Sequence, residues 1–225
     1  LDGQKEYVLQ GVTADAFLVA ARDGKGVSVV LVPRDTPGVK LESYTGFAKD
    51  RQSTVVLRKV VLPATALCGA PITAWPRLTK LRHTFAALLC ADLIGGADQV
   101  VSTTVKYVCE REQFGAKLAT FQAVQQMIAN MAIDLEGARH VARQALWRLA
   151  EGLPAEREIA IAKAWCGRAY RDITLLAHQL HGGAGYVVEH ELHRHTLRAK
   201  QAELLFGSTE EWLDEIADHL KLAPR

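Results

Sequence analysis

The chain has 225 residues, of which 49% are hydrophobic, and a formal net charge of +2 at pH 7. This length allows one large domain or two small ones with a real buried core. The nearly balanced charge gives no field that would attract nucleic acid or a membrane surface. We find no apolar run near the roughly 18 residues that span a bilayer and no signal sequence. We therefore expect neither a nucleic-acid nor a membrane partner.

The four cysteines (Cys68, Cys90, Cys109 and Cys166) are widely spaced, and no Cys-x-x-Cys pair occurs. This pattern favours reduced thiols in a cytoplasmic protein over a disulfide framework or a zinc site. The chain starts at Leu1 rather than at a methionine, and a strand-like segment follows almost at once. We expect that an N-terminal part of the natural polypeptide is missing.

Residues 1–63 have the pattern of β structure, with β-branched runs separated by turn residues. We predict strands at 5–10, 17–21, 27–32 and 54–62, with turns at 23–26 and 33–38. Three prolines and Gly69 between positions 63 and 76 then interrupt regular structure. We therefore divide the chain into residues 1–70, the later half of a β-domain, and residues 71–225, a helical domain.

The helical part has four predicted helices, at 77–109, 121–150, 155–180 and 208–220. In the second, apolar residues recur in steps of three and four from Phe121 to Leu149, which indicates a seam against near-parallel helices. Short links between long helices predict antiparallel neighbours and hence a bundle. In the first helix, Gly95 and Gly96 predict a closely packed neighbour or a kink. The predicted fold class is α+β, mainly α: a partial antiparallel β-domain followed by a C-terminal four-helix bundle.

Three short motifs interrupt or flank these helices: Arg111–Gly115, residues 179–186 and residues 207–210. Each has a structural explanation. The first can be a simple turn, and the second can be a helix end stopped by left-handed glycines. The third can be an N-cap formed by Ser208 or Thr209. Each also suits an anionic ligand, because glycines and a helix N-terminus expose bare backbone N–H groups.

In this order and spacing, the motifs resemble those of the acyl-CoA dehydrogenase family. The matching stretches are 111–115, 121–122, 179–186, 199–200 and 207–210, with a looser match at residues 3–8. The resemblance implies a helical N-terminal domain, a central β-domain and a C-terminal four-helix bundle, of which this chain has the second half of the β-domain and the whole bundle. It also implies FAD bound between subunits.

The resemblance assigns the cofactor contacts to individual positions. Arg111 would meet the FAD phosphates or adenosine across the subunit interface, flanked by Gln113, Phe114 and Leu118. Gln179, Gly182 and Gly183 would hold the same half of the cofactor, and Ser208 and Glu210 would contact it from the other subunit. Tyr7 and Leu9 match positions beside the flavin, although Leu9 lacks the hydrogen-bonding hydroxyl that the family often has there.

The implied reaction is α,β-dehydrogenation of an acyl thioester, in which a carboxylate removes the α-proton while the β-hydride passes to the flavin N5. The resemblance places the carboxylate either just before the glycine of the last motif or on the first bundle helix beside an arginine. Here these positions are Phe206 and Leu81, and neither can accept a proton. We therefore expect no catalytic base, with Glu203 and Glu210 as weak replacements and Arg82 as a candidate substrate contact.

A chain with flavin-contact motifs and no base resembles a subunit of a heteromeric dehydrogenase whose sister chain carries the glutamate. Members of that kind act in bacterial steroid and sterol side-chain breakdown, so a bulky acyl-CoA is the expected substrate. The expected partners are a sister subunit or a second copy (a dimer of dimers) and an electron-transfer flavoprotein. Two alternatives stay open: a non-catalytic oligomerisation or regulatory relative, and a homotetramer in which a nearby carboxylate restores activity.

Five histidines lie close together in sequence: His178, His181, His190, His193 and His195. A metal site would need further carboxylate or cysteine ligands that the segment does not supply, so we expect no metal and predict solvated histidines on an irregular surface segment. The tryptophans at positions 147, 165 and 212 are expected to pack in the core or at an interface.

Overall fold

A computed structural model of the chain describes residues 1–222. Its internal contacts divide the chain into two compact units, Leu1–Leu81 and Arg82–Arg225.

The first unit is built from five antiparallel strands: β1 (Gly3–Leu9), β2 (Ala16–Arg22), β3 (Val27–Pro33), β4 (Val39–Thr45) and β5 (Arg51–Leu57). They form a three-stranded sheet in the order β1-β5-β4 and a two-stranded sheet of β2 and β3. A small core contains Phe17, Val19, Val32, Val55, Leu57 and Val60. The four predicted strands are present, although β5 ends at Leu57 rather than at position 62. Strand β4 was not predicted.

The second unit is helical. Its long helices are α1 (Trp75–Glu110), whose first residues belong to the first unit, α2 (Gln122–Ala150) and α3 (Glu156–His181), followed by α4 (Leu192–Leu204) and α5 (Thr209–His219). A two-stranded hairpin of β6 (Glu112–Gln113) and β7 (Ala116–Lys117) separates α1 from α2. The predicted fold class is confirmed. Helix α4 was not predicted, because its sequence is rich in histidine and arginine and has few apolar residues.

The packing of α2 confirms the predicted seam. Its buried residues are Met131, Leu135, Ala138, Ala142 and Ala145, which recur at the steps of three and four that the sequence shows. Helix α3 contributes a second row of small and aliphatic residues, from Ile159 to Leu180, to the same core. Many of the contact positions are alanines, which allow the helices to approach closely.

The Gly95–Gly96 pair lies within α1, which continues through it. A Cβ atom on Gly96 would overlap the Tyr170 hydroxyl group, so Tyr170 of α3 packs directly against this glycine. The predicted neighbour is Tyr170.

Helix α1 is also long and apolar enough to cross a membrane by length and composition, with a third of its most apolar window buried. We predicted no segment of this kind from the sequence. Several α1 residues, among them Leu93, Ala97 and Val100, are buried in the helical core, and a core helix of a globular domain passes the same test.

Candidate functional site

The Arg111 motif forms the short hairpin after α1. Phe114 and Gly115, with φ of 57° and 79°, make the turn, and the Leu118 N–H donates to the Arg111 carbonyl oxygen at 2.9 Å. The Phe114 side chain is 90% exposed, and Arg111 and Gln113 are also exposed. The hairpin therefore exposes a cation, an amide and an aromatic ring that a ligand or another chain could contact.

The second motif begins at the end of α3. Gly182, with φ of 57°, terminates the helix, and residues 182–186 form one short 3-10 turn. Gln179, Gly182 and Gly183 are exposed. A Cβ atom built on Gly182 or Gly183 would meet nothing within 4 Å. A ligand can therefore approach the bare backbone here without displacing any described part of the chain.

Tyr107 brings these two motifs together. Its ring stacks on that of His181 with centroids 4.2 Å apart, and its hydroxyl donates to the His181 carbonyl oxygen at 3.4 Å. Tyr107 lies one helical turn before Arg111, and His181 directly precedes Gly182. The residues that the resemblance assigns to one half of the cofactor are thus neighbours in the fold.

The third motif forms the N-terminus of α5. The Ser208 hydroxyl accepts the Glu211 N–H, and the Glu211 carboxylate accepts the Ser208 N–H, so the predicted cap is a reciprocal capping box. Glu210 is exposed in the first turn. Hydrogen bonds from its own backbone N–H and from Ser208 lower the pKa of its carboxyl group. This terminus favours an anion, since its N–H groups and helix dipole are positive.

An aromatic pair lies just before that terminus. Phe206, with φ of 60°, stacks on Phe85 of α1 with centroids 5.4 Å apart and planes inclined by 11°. Phe206 is one predicted base position; Leu81, the other, is exposed in the first unit. Phe85, one turn after Leu81, was missed by the sequence analysis. Its spacing along α1 indicates a helix face shared with Leu81 but does not indicate the contact with Phe206.

The two weak replacement bases differ in environment. Glu203 is buried, and its carboxylate accepts hydrogen bonds from Arg171 at 2.7 Å, from Lys200 at 2.9 Å and from the Thr209 hydroxyl at 3.1 Å. Two cations and a hydroxyl therefore occupy its oxygens. Glu210 is exposed, and its lowered pKa weakens it as a proton acceptor.

Arg82, the candidate substrate contact, already has partners within the helical unit. Its guanidinium carbon lies 4.1 Å from the centre of the Trp212 ring, and it forms an ion pair with Glu215. The same carboxylate contacts His83. Trp212 is fully buried beneath this network, whereas Trp147 and Trp165 are exposed.

The predicted cofactor residues form two groups at opposite ends of α1. Arg82 contacts the turn before Ser208, because a Cβ on Gly207 would lie 3.2 Å from the Arg82 Nη1 atom. Tyr107, which contacts the Arg111 and Gly182 motifs, lies 25 residues later on the same helix, which corresponds to about 37 Å. An extended dinucleotide is shorter than this separation. The resemblance accounts for this separation by assigning the two groups to contacts on opposite sides of a subunit interface.

Tyr7 lies on β1 of the first unit, where the pairing with β5 is irregular between Lys5 and Val8. Its φ of 57° turns the chain locally, its side chain is 70% exposed, and its N–H donates to the Tyr44 hydroxyl at 3.1 Å. The predicted flavin contacts of Tyr7 and Leu9 stay predictions.

The histidine cluster differs from the solvated segment that we predicted. His178 and His181 are buried, and His193 and His195 belong to α4. Burial is the main cause that lowers the pKa of His181 to about 4 and also lowers that of His178. Across residues 1–222, no three His, Cys, Asp or Glu side chains are grouped so that they could hold a metal ion.

Comparison with known proteins identifies the family of the chain. Residues 77–221 match the family model described as "Acyl-CoA dehydrogenase, C-terminal domain". The acyl-CoA dehydrogenase FadE27 of Mycobacterium tuberculosis is 31% identical over all of this chain and 61% of its own length.

Two solved structures extend this likeness to the fold. The ChsE4-ChsE5 complex from M. tuberculosis has a TM-score of 0.89 at 31% identity, over 100% of this chain and 60% of that one. The FAD complex of PigA has a TM-score of 0.94 at 27% identity, over 99% and 60%. The chain thus spans about three fifths of the relatives it matches, and FAD is the cofactor that these relatives indicate. The chain belongs to the acyl-CoA dehydrogenase family.

Proposed function

We propose that this chain is a subunit of an FAD-dependent acyl-CoA dehydrogenase and completes a cofactor site shared between two chains. The observation that carries the proposal is that the two motif groups contact opposite ends of α1, at Arg82 and Tyr107, which are about 37 Å apart by helix rise. Each group alone offers part of a dinucleotide site, and a second chain is needed to supply the rest.

The first group suits the phosphate and adenosine half of the cofactor. The exposed Arg111 guanidinium is a bidentate donor for phosphate oxygens. The bare backbone at Gly182 and Gly183 allows the ligand to come close, and the exposed Phe114 ring offers an apolar face. These residues would bind and orient the cofactor of a neighbouring chain.

The second group suits an anionic or carbonyl part of the cofactor at the start of α5. The capping box fixes the start of α5, where the helix dipole adds a partial positive charge. When bound, FAD supplies the hydride acceptor for the reaction.

We further propose that a partner chain supplies the catalytic glutamate. Phe206 and Phe85 replace a proton acceptor with a stacked apolar pair, and the Glu203 carboxylate is occupied by Arg171 and Lys200. A carboxylate held by two cations is a poor general base, because proton transfer would have to displace those bonds.

The proposed substrate is an acyl-CoA thioester, with a bulky acyl group of the steroid or sterol side-chain type. The proposed electron acceptor is an electron-transfer flavoprotein, and the proposed location is the cytoplasm. The ChsE4-ChsE5 complex supports a two-chain assembly, because that relative is itself a complex of two different chains.

Co-expression with candidate sister subunits tests the proposal. We expect a yellow complex with near-stoichiometric flavin that oxidises an acyl-CoA only when both chains are present. A colourless complex that cannot be reconstituted with FAD would overturn it.

A second candidate function is oligomerisation or regulation without cofactor. Large apolar side chains on the outer faces of α2 and α3 favour it: Ile133, Trp147 and Leu175 are each more than half exposed. The same flavin spectrum decides between the two functions, since this alternative predicts a stable, colourless assembly.

In a third alternative, a homotetramer uses a carboxylate of this chain. Glu203→Gln and Glu210→Gln in protein that is active alone test this idea. Unchanged turnover in both variants would remove it.

A further inference from the structure

Lys163 is a buried lysine on α3 with 1% of its surface exposed. Its ammonium group donates to the Glu203 carbonyl oxygen at 2.9 Å and to the Gly207 carbonyl oxygen at 3.1 Å. Burying an ammonium group is costly unless its N–H groups find acceptors. These two hydrogen bonds therefore offset the cost of burying the Lys163 ammonium group, and they connect it to two specific carbonyl groups.

The two carbonyls belong to the facing ends of two helices. Glu203 is in the last turn of α4, where carbonyl groups lack partners within the helix and where the negative end of the dipole attracts a cation. Gly207 directly precedes Ser208, the N-cap of α5. One ammonium group thus joins the end of α4 to the start of α5 across the turn that contains Phe206.

That turn has an unfavourable backbone. Phe206 has φ of 60° and Gly207 has φ of 118°, and a left-handed conformation is unfavourable for a residue that has a Cβ, such as Phe206. Such conformations persist where the surrounding structure fixes them. The turn is also packed tightly, because a Cβ on Gly207 would lie 2.9 Å from the Trp212 Nε1 atom.

We propose that Lys163 is a positioning residue. It holds the turn at Phe206 and Gly207, whose φ angles are positive, and so sets the direction in which the N-terminus of α5 and the Ser208 cap face the cofactor. This proposal rests on the proposed function, because it assigns the turn a role in holding FAD. It requires no chemical step at Lys163 itself.

The test begins on the full chain without cofactor, by hydrogen exchange. Lys163→Met keeps the length of the side chain and removes the amine, and Lys163→Gln is a second variant that keeps one donor group. Lys200→Met is the matched control. Lys200 contacts the Glu203 carboxylate but neither of the two carbonyl oxygens that Lys163 contacts. We expect the amides of residues 207–212 to exchange about ten-fold faster in both Lys163 variants, with little change in the control.

The second measurement is FAD affinity in the assembled complex, by flavin fluorescence titration. We expect Lys163→Met to weaken FAD binding about ten-fold, as for loss of a hydrogen bond to a charged group, while Lys200→Met stays near wild type. Unchanged exchange in the Lys163 variants would overturn the role in the turn. Faster exchange with unchanged FAD affinity would overturn the role in positioning.

The two proposals fail in different ways. If the wild-type chain binds no FAD with any partner, the proposed function and the cofactor role of Lys163 both fail. In that case the exchange data still decide whether Lys163 holds the turn. If the wild-type complex binds FAD and exchange is unchanged, the Lys163 proposal alone fails.

Discussion

The ring of Phe206 stacks on that of Phe85, with centroids 5.4 Å apart, at the position where the family resemblance places a catalytic carboxylate. Both rings are partly exposed, so the pair forms an apolar surface at the start of α5. In the proposed function, this pair would contact a bound ligand, whereas the proton acceptor would come from a partner chain.

Phe206→Glu should therefore create activity in this chain. The new carboxylate would lie at the predicted base position, and general-base catalysis contributes roughly 10²–10⁴-fold. We expect flavin-loaded protein to gain at least the lower end of this range in acyl-CoA oxidation, measured with an artificial electron acceptor. The control is Phe206→Gln, which has the same shape and cannot act as a base. Equal rates in the two variants would contradict this account.

Arg111→Met should weaken FAD binding with little effect on folding, because Arg111 is exposed and would meet cofactor phosphates. Losing a charge-assisted hydrogen bond costs about 1.5–3 kcal/mol, which corresponds to roughly 10- to 150-fold in affinity. Flavin fluorescence titration of the assembled complex measures this loss. The matched control is Arg194→Met, because Arg194 is an exposed arginine outside the predicted cofactor groups. A similar loss in both variants would indicate a general charge effect.

Gly183→Leu should block the cofactor without disturbing the fold. A side chain at position 183 would point into open space within the described chain, so the melting temperature should stay close to that of wild type. The added side chain would fill the space through which the cofactor would approach the backbone of residue 183. FAD affinity should therefore fall by at least ten-fold. Gly95→Leu is the control. A Cβ on Gly95 would also meet nothing within 4 Å, but Gly95 lies in the middle of α1 and not in the glycine turn. If Gly183→Leu binds FAD normally, the glycine turn is not a cofactor contact.

Acid should destabilise the chain through His181. Burial and the neighbouring His190 and His178 lower the pKa of His181 to about 4, below the usual value of about 6.5 that an unfolded chain would show. The unfolded state therefore binds this proton more readily, and stability is lost as pH falls from about 6.5 towards 4. His181→Phe removes the titrating group and keeps a ring against Tyr107.

We expect the melting temperature of this variant to decline less steeply over that pH range. His140→Phe, on the surface of α2, is the control and should keep the wild-type slope. A variant slope identical to that of wild type would mean that His181 is not a source of the acid sensitivity.

The sequence predicts the elements whose signals are local. The period of α2 from Phe121 to Leu149 is a property of the helix itself, and Ser208 caps α5 through atoms three residues apart. Four strands were found for the same reason, since β-branched runs bounded by turn residues are local patterns.

The missed features depend on contacts between distant residues. Strand β4 pairs with β5, yet charged residues at Lys40 and Glu42 weaken its apolar pattern. Helix α4 is polar in sequence and is held by the few residues that it buries against its neighbours. The stacking of Phe85 on Phe206 joins α1 to a turn 121 residues later, and no pattern within α1 reports that partner.

Lys163 is an intermediate case. It interrupts an apolar run of α3 between Ala162 and Ala164, and a lysine inside such a run is a detectable anomaly. Its acceptors, the carbonyls of Glu203 and Gly207, could not be inferred, because backbone carbonyls carry no signal in the sequence. The fold alone identifies them.

We propose that this chain completes a flavin site and depends on a partner for the proton acceptor. The most direct measurement is acyl-CoA oxidation by the purified chain alone, by the complex with its sister subunit, and by a complex in which the sister's base glutamate is changed to glutamine. We predict no turnover by the chain alone, turnover by the complex, and loss of that turnover with bound flavin retained in the glutamine variant. Oxidation of an acyl-CoA by the chain alone at the rate of the complex would contradict the claim.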